Sequence, residues 1–327
     1  MSNPLKFFGN RTVGLALGSG GAKGLSHIAV VEYLRSMEIP IHMIAGSSIG
    51  AVVGAIYCVG ALDRFKQDIL KLTLREMLKY MDPVVPRSGL IEGKGFVKFL
   101  ERYVPPAALL EELEVPLAVV ATDYATGAPV VFRSGNVLEA LRASVSIPGV
   151  LVPVRYRDTL LVDGGVSIPL PISVVRGMGA GLTIAVNLHP RLRKRGLRHL
   201  VKSRVETPAP VHPEDVEIIR GGSALAATSA GGSKWLRLIE QWLAAERGTG
   251  GKNMPNIFDV IAQSVDIMEY INTALMLKYD SPTVLVEPNV TDVSTLNFAD
   301  AGKIMYEGYL ACSRVKGQLT RKIKAWV

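Results

Sequence analysis

Twice within the first sixty residues, a short apolar run breaks at glycines and passes directly into an apolar stretch with helical spacing. Residues 12–17 lead through Gly18-Ser19-Gly20-Gly21-Ala22-Lys23-Gly24 into 25–37, where Leu25, Ile28, Ala29, Tyr33, Leu34 and Met37 fall on roughly one side. Residues 41–45 lead through Gly46-Ser47-Ser48-Ile49-Gly50 into a second helical run at 51–61. Further along, strands are predicted at 117–121, 130–132, 159–162, 182–187 and 283–287. Helices are predicted at 63–80, 89–103, 137–144, 256–278 and 299–316. Strands alternating with helices in this way predict an α/β sandwich with a mostly parallel sheet.

The second unit is also the one place where the chain imitates a membrane span. Residues 41–62 are almost uncharged, and about 20 apolar residues cross a bilayer. Gly46, Gly50 and Gly54 even have the spacing of a membrane-helix dimer motif. The Gly-Ser-Ser-Ile-Gly break in the middle favours a buried strand, a tight turn and a buried helix. Residues 1–11 hold no apolar core of a signal peptide, and none is expected. Hydrophobic residues at 48% and charged residues at 20% describe a globular chain and exclude a disordered one. Lys plus Arg exceeds Asp plus Glu by 37 − 29 = 8, which suits an anionic partner. With aromatics at 6% and neither an RNA-binding aromatic signature nor zinc-finger spacing, the expectation is no nucleic acid. Cys58 and Cys312 read as reduced core residues of a cytoplasmic protein.

Composition shifts at His189. A basic run (Arg191, Arg193, Lys194, Arg195, Arg198, Lys202, Arg204) is followed by proline-rich 207–213 and small-residue 221–232. The chain is therefore read as one domain over 10–327 with a variable insertion at about 190–255. The basic run is either a peripheral seat on an anionic inner-membrane surface or a solvated loop. Within the insertion, Trp235, Leu238, Ile239, Trp242 and Leu243 form an apolar stripe along 234–245, either a mobile lid or a core-packed helix.

Three motifs carry chemistry. Gly46-x-Ser48-x-Gly50 has the strand–turn–helix context of a nucleophile elbow, in which glycines flank a serine lifted out of the sheet. The loop 18–24 opens a helix with successive glycines, so backbone N–H groups converge where the helix dipole favours negative charge. It is not a P-loop, because Lys23 precedes Gly24 and not Ser or Thr. Lys23 also takes the third glycine position of a dinucleotide fingerprint, and the helix that follows excludes a kinase loop. What remains is an oxyanion hole, built mainly from Gly20 and Gly21. Lys23 either adds positive potential or fastens the local structure. Asp163-Gly164-Gly165 follows a predicted strand, and a carboxylate within reach of Ser48 is a base for its hydroxyl. Of the histidines, His27, His42, His199 and His212 read as structural or solvated, and His189 likewise, although its order after Ser48 and Asp163 would suit a triad. No His/Cys/Asp cluster has metal-ligand spacing, so neither metal nor cofactor is expected.

These motifs, in this order, resemble the patatin-like phospholipases, most closely their bacterial branch. The resemblance covers about 10–190, lapses through the insertion and resumes faintly from 256. Arg142-Ala143-Ser144-Val145-Ser146-Ile147-Pro148-Gly149 also resembles a family segment packed near the active site. Ser19 departs from the glycine that many members have there, and a serine at that position still leaves the next two N–H groups free. The resemblance implies a three-layer α/β/α fold and hydrolysis of acyl esters in phospholipids or related lipids. It implies Ser48 as nucleophile, Asp163 as general base, and an oxyanion hole at Gly20, Gly21, Ala22, Lys23 and Gly24. The alternatives are a small-ester carboxylesterase or acyltransferase with the same pair, or a catalytically silent lipid-binding protein.

Overall fold

Large and small side chains alternate along the central strands, and this alternation sets up the layers. In β1 (Val13–Leu17), Val13, Leu15 and Leu17 join one buried cluster while Ala16 joins the other. In β3 (Leu117–Asp123), Leu117 and Val119 face the first cluster, and Ala118 and Val120 the second. Successive strand side chains point to opposite faces, so both faces are apolar and both must be covered. The computed structural model describes residues 12–72, 76, 80, 82, 91–190, 257–295 and 297–325. All belong to one compact unit, built from Met1–Leu192 and Asn253–Val327. The insertion expected at about 190–255, with its basic run and its tryptophan stripe, lies outside the described residues, apart from His189 and Pro190 at its edge.

Among the described residues the sheet has eight strands: β1, β2 (Met43–Ser47), β3, β4 (Pro129–Phe132), β5 (Val154–Tyr156), β6 (Thr159–Asp163), β7 (Leu182–Val186) and β8 (Val284–Val286). The run β3-β2-β1-β7-β8 is parallel throughout. β4 and β6 pair with β3 antiparallel, and β5 with β6, so the sheet is mixed. The large-residue face is covered by α1 (Ser26–Ser36), α2 (Ile49–Cys58), α3 (Leu62–Lys71), α4 (Lys94–Leu100), α5 (Val137–Ser144) and, far along the chain, α8 (Ala301–Leu319). The small-residue face takes α6 (Ile172–Gly177) and Leu277 of α7 (Ile257–Tyr279). The fold is a three-layer α/β/α sandwich. Residues 41–62 resolve into strand, turn and helix, and no helix among the described residues is long and apolar enough to cross a membrane.

Several boundaries differ from expectation, each for a long-range reason. β2 continues past Ala45, because Gly46 pairs with both Leu17 and Val119, and Ser47 with Val120. The helix expected at 89–103 begins only at Lys94. There the Asp82 carboxylate accepts from the N–H groups of Gly93, Lys94 and Gly95 at 2.9, 2.7 and 3.2 Å. That is an acidic cap supplied from eleven or more residues away. β5 and α6, three and six residues long, gave no sequence signal.

Candidate active site

Ser48 stands between β2 and α2 with φ 53° and ψ −123°, a conformation that non-glycine residues rarely adopt. The chain tolerates it because the turn is closed by neighbours without side chains. A Cβ at Gly50 would overlap the Leu17 carbonyl oxygen, and one at Gly46 the Ala51 backbone. The strained residue is also tied down from outside: its N–H donates to Ser144 Oγ at 2.8 Å, and Ser144 Oγ–H donates to Val120 O at 2.6 Å.

The sheet brings Asp163 to this point. β4 takes one edge of β3 over residues 119–122, so β2 and β6 share the other edge. β2 climbs that edge to Ser47, opposite Val120, and β6 descends it to Asp163, opposite Ala121. Their C-terminal ends therefore meet. Ser48 Oγ–H donates to Asp163 Oδ2 at 2.6 Å, at the short end of the O–H···O range. The Gly165 N–H donates to Oδ1 at 2.7 Å, and Thr122 Oγ1–H holds the Asp163 carbonyl at 2.8 Å. Burial pushes the Asp163 carboxyl up to about 8, and the negative charge of Glu269 adds to this. The hydrogen bonds from Ser48 and Gly165 pull it part of the way back.

In the glycine loop, the N–H groups sort into engaged and free. Those of Gly18, Ser19, Ala22 and Lys23 donate to Val186 O, Pro169 O, Thr295 O and Gly20 O at 3.2, 2.8, 2.7 and 3.3 Å. Those of Gly20 and Gly21, at φ 145° and 56°, have no acceptor among the described residues. Of the five residues expected to bind an oxyanion, Ala22 and Lys23 thus have their N–H groups turned to other work. Gly24 packs on Ile49, the first residue of α2. Lys23 is buried, and its Nζ lies 2.8 Å from Asp266 Oδ1, so the side chain fastens the loop to α7.

The histidines are occupied elsewhere. His189 Nε2 lies 2.9 Å from Glu269 Oε2 and 3.2 Å from Ser19 O. Two acceptors on one nitrogen require a proton there, an assignment made from the partners. That nitrogen is a donor, and the ring makes no hydrogen bond to Ser48 or Asp163. His27 Nε2 lies 2.8 Å from Gly18 O, and complete burial pushes the ring down to about 4, leaving it neutral. His42 Nδ1 accepts from the Val13 N–H at 3.0 Å. His199 and His212 lie outside the described residues.

His189, Asp266 and Glu269 each present a ligand atom, and these atoms lie within 4.8 Å of one another. Their charges are already met by Lys23 and by the His189 N–H, and we describe them as a paired block. Sequence reasoning passed over Asp266, Glu269 and Ser144. A signal existed for the two acids: they are the only acidic residues between 260 and 279, three apart on one face of an apolar helix. Ser144 sits inside the quoted 142–149 segment, but nothing local marks it as a support for Ser48.

Ser48 and Gly21 line a cavity of about 170 Å³. Its other walls are almost wholly apolar, including Leu25, Val52, Phe65, Phe99, Leu100 and Ile147. The cavity wall thus carries the Ser48 hydroxyl, bonded to a buried carboxylate, together with Gly21 of the glycine loop, and the rest of the lining suits a hydrocarbon chain.

The family model of patatin-like phospholipases matches residues 15–176. An uncharacterized NTE family protein of Mycobacterium bovis is 43% identical over 177 residues, covering 54% of this chain and 49% of its own length. Mouse "patatin-like phospholipase domain-containing protein 6" is 32% identical over 184 residues, covering 54% and 13%. "Lysophospholipase NTE1" of Debaryomyces hansenii is 26% identical over 308 residues, covering 93% and 18%. The chain spans about half the length of the first of these relatives and less than a fifth of the other two.

Proposed function

Because the chain belongs, through residues 15–176, to the patatin-like phospholipase family, we propose that it is a serine-dependent lipid acyl hydrolase of the phospholipase A or lysophospholipase type. The observation that carries this reading is the 2.6 Å bond from Ser48 Oγ to Asp163 Oδ2 at a strained turn facing an apolar cavity. The name of the yeast relative, a lysophospholipase, supports the substrate class.

The reaction runs in two halves. Asp163 accepts the Ser48 proton as Oγ attacks the ester carbonyl carbon, and the carbonyl oxygen becomes an oxyanion. The free N–H groups of Gly20 and Gly21 hold that charge, so their contribution is greatest in the transition state. Collapse breaks the ester C–O bond, and the alcohol leaves with the proton from Asp163. Water then attacks the acyl-serine and gives its proton to Asp163. The second collapse releases the fatty acid and returns the proton to Ser48. A carboxyl pushed up to about 8 is a far stronger base than an ordinary aspartate, close to the pH at which such a base works best. The acyl chain would lie in the cavity, where each buried CH₂ contributes about 0.8 kcal/mol.

Labelling by a fluorophosphonate, together with a hydrolysis panel of phospholipids, lysophospholipids and graded soluble esters, tests the proposal. Labelling at Ser48 and a preference for long-chain lipid support it. A preference for short esters points to a carboxylesterase, and the absence of labelling sinks the enzymatic reading.

A further inference from the structure

Helix α7 buries two carboxylates that the reaction does not touch. Asp266 and Glu269 are 6% and 5% exposed, on the inner face together with Thr273. Burying a carboxylate is costly unless a partner is supplied, so two of them three residues apart demand a purpose. Neither lines the cavity.

Their partners are the two halves of the site. Asp266 Oδ1 holds Lys23 Nζ at 2.8 Å and accepts from Thr295 Oγ1 at 3.3 Å, while the Thr295 carbonyl accepts the Ala22 N–H at 2.7 Å. Both grips fall on the residues that follow Gly20 and Gly21, the pair with free N–H groups. Glu269 Oε2 holds His189 Nε2, whose second acceptor is Ser19 O, on the preceding side of the same loop. Glu269 Oε1 covers the Cα of Gly165 so closely that any side chain there would overlap it. One turn on, Asn272 Nδ2 donates to Val166 O at 3.1 Å. Residues 165 and 166 belong to the turn whose Gly165 N–H holds Asp163 Oδ1.

We propose that Asp266 and Glu269 are positioning residues: Asp266 fixes the glycine loop through Lys23, and Glu269 fixes the Asp163 turn and faces Asp163 with negative charge. The proposal rests on the hydrolase reading. It makes α7 the common backing of the oxyanion loop and the base. Among the described residues, the charged and titratable groups around Glu269 are Asp163 at the end of β6, His189 just after β7, Asp266 on its own helix, and Lys23 paired to Asp266. Those facing Asp163 are Ser48 and Glu269, and burial plus the Glu269 charge is what raises its carboxyl.

The test measures the rate of Ser48 labelling by a fluorophosphonate against pH, with kcat and KM on a soluble ester beside it. In Glu269→Gln the acid limb moves down by about one pH unit, because a like charge beside the base is gone. Glu269→Asp retains the charge and returns the limb toward its wild-type position. Asp266→Asn leaves the limb in place but lowers kcat about tenfold to a hundredfold at constant KM, as a displaced hole does. If Glu269→Gln is too unstable to assay, His189→Gln/Glu269→Gln removes both partners and leaves no orphaned charge. It carries the same expected shift. An acid limb unmoved in folded Glu269→Gln, or in the double variant, overturns the role of Glu269, and a KM effect in Asp266→Asn overturns that of Asp266. Failure of the wild type to label is a different result, and it overturns the hydrolase reading itself.

Discussion

Replacing Asp163 with asparagine separates what the carboxylate does for chemistry from what its burial does to the fold. The amide is nearly isosteric: its oxygen accepts from the Gly165 N–H in place of Oδ1, and its NH₂ faces Ser48 Oγ. With Asp163 as the proposed base, turnover should be lost at every pH, since nothing then takes the Ser48 proton. Stability moves the other way. In the unfolded chain the carboxyl releases its proton near 3.8, whereas in the folded protein it holds it up to about 8. Between those values the folded state binds more protons, so wild-type stability falls as pH rises and levels off above about 8. One pKa unit corresponds to about 1.4 kcal/mol, so the three units from pH 5 to pH 8 give at most about 4 kcal/mol. The substituted amide does not titrate and lacks this slope. Other titrating groups are common to both proteins and cancel in the difference. Urea denaturation of wild type and Asp163→Asn at pH 5 and pH 8 should therefore show the variant gaining about 2–4 kcal/mol on the wild type across that interval. Parallel curves, with a gap that does not change with pH, would show that the Asp163 carboxyl is not held protonated by burial, and the account of its basicity would fail.

Ser48→Ala and Ser48→Gly both abolish activity, but the glycine variant should be the more stable by about 1 kcal/mol, because only a Cβ resists φ 53° and ψ −123°. An alanine variant equal or superior by thermal denaturation would mean the turn carries no strain. Val52, one helical turn after Ser48, lines the cavity; Val52→Phe should cut kcat/KM on long-chain esters about tenfold or more while acetyl esters are hydrolysed as before. Equal loss on both chain lengths would place the acyl group elsewhere.

Much of the fold was legible because its causes are local. Short apolar runs and the breakers that bound them marked β1, β3 and α5 within a residue or two, and glycines flanking Ser48 marked the elbow, since a sharp turn excludes side chains wherever it occurs. The order of the three motifs supplied Ser48 and Asp163 as a pair, and the two consecutive glycines supplied the free N–H groups. What the local pattern could not contain was decided by the sheet. Ser48 and Asp163 are 115 residues apart, and they meet only because β4 occupies one edge of β3 and leaves β2 and β6 to end against each other on the opposite one. Likewise, which N–H groups of the loop are engaged depends on Thr295, Pro169 and Val186, and Lys23 finds its partner 243 residues away. Antiparallel edge pairing and buried ion pairs are contacts between distant residues, with no period and no composition of their own. The sequence determined which groups the site owns; tertiary structure determined which of them are free to act, because a donor or a charge is available only when the fold leaves it without a nearer partner.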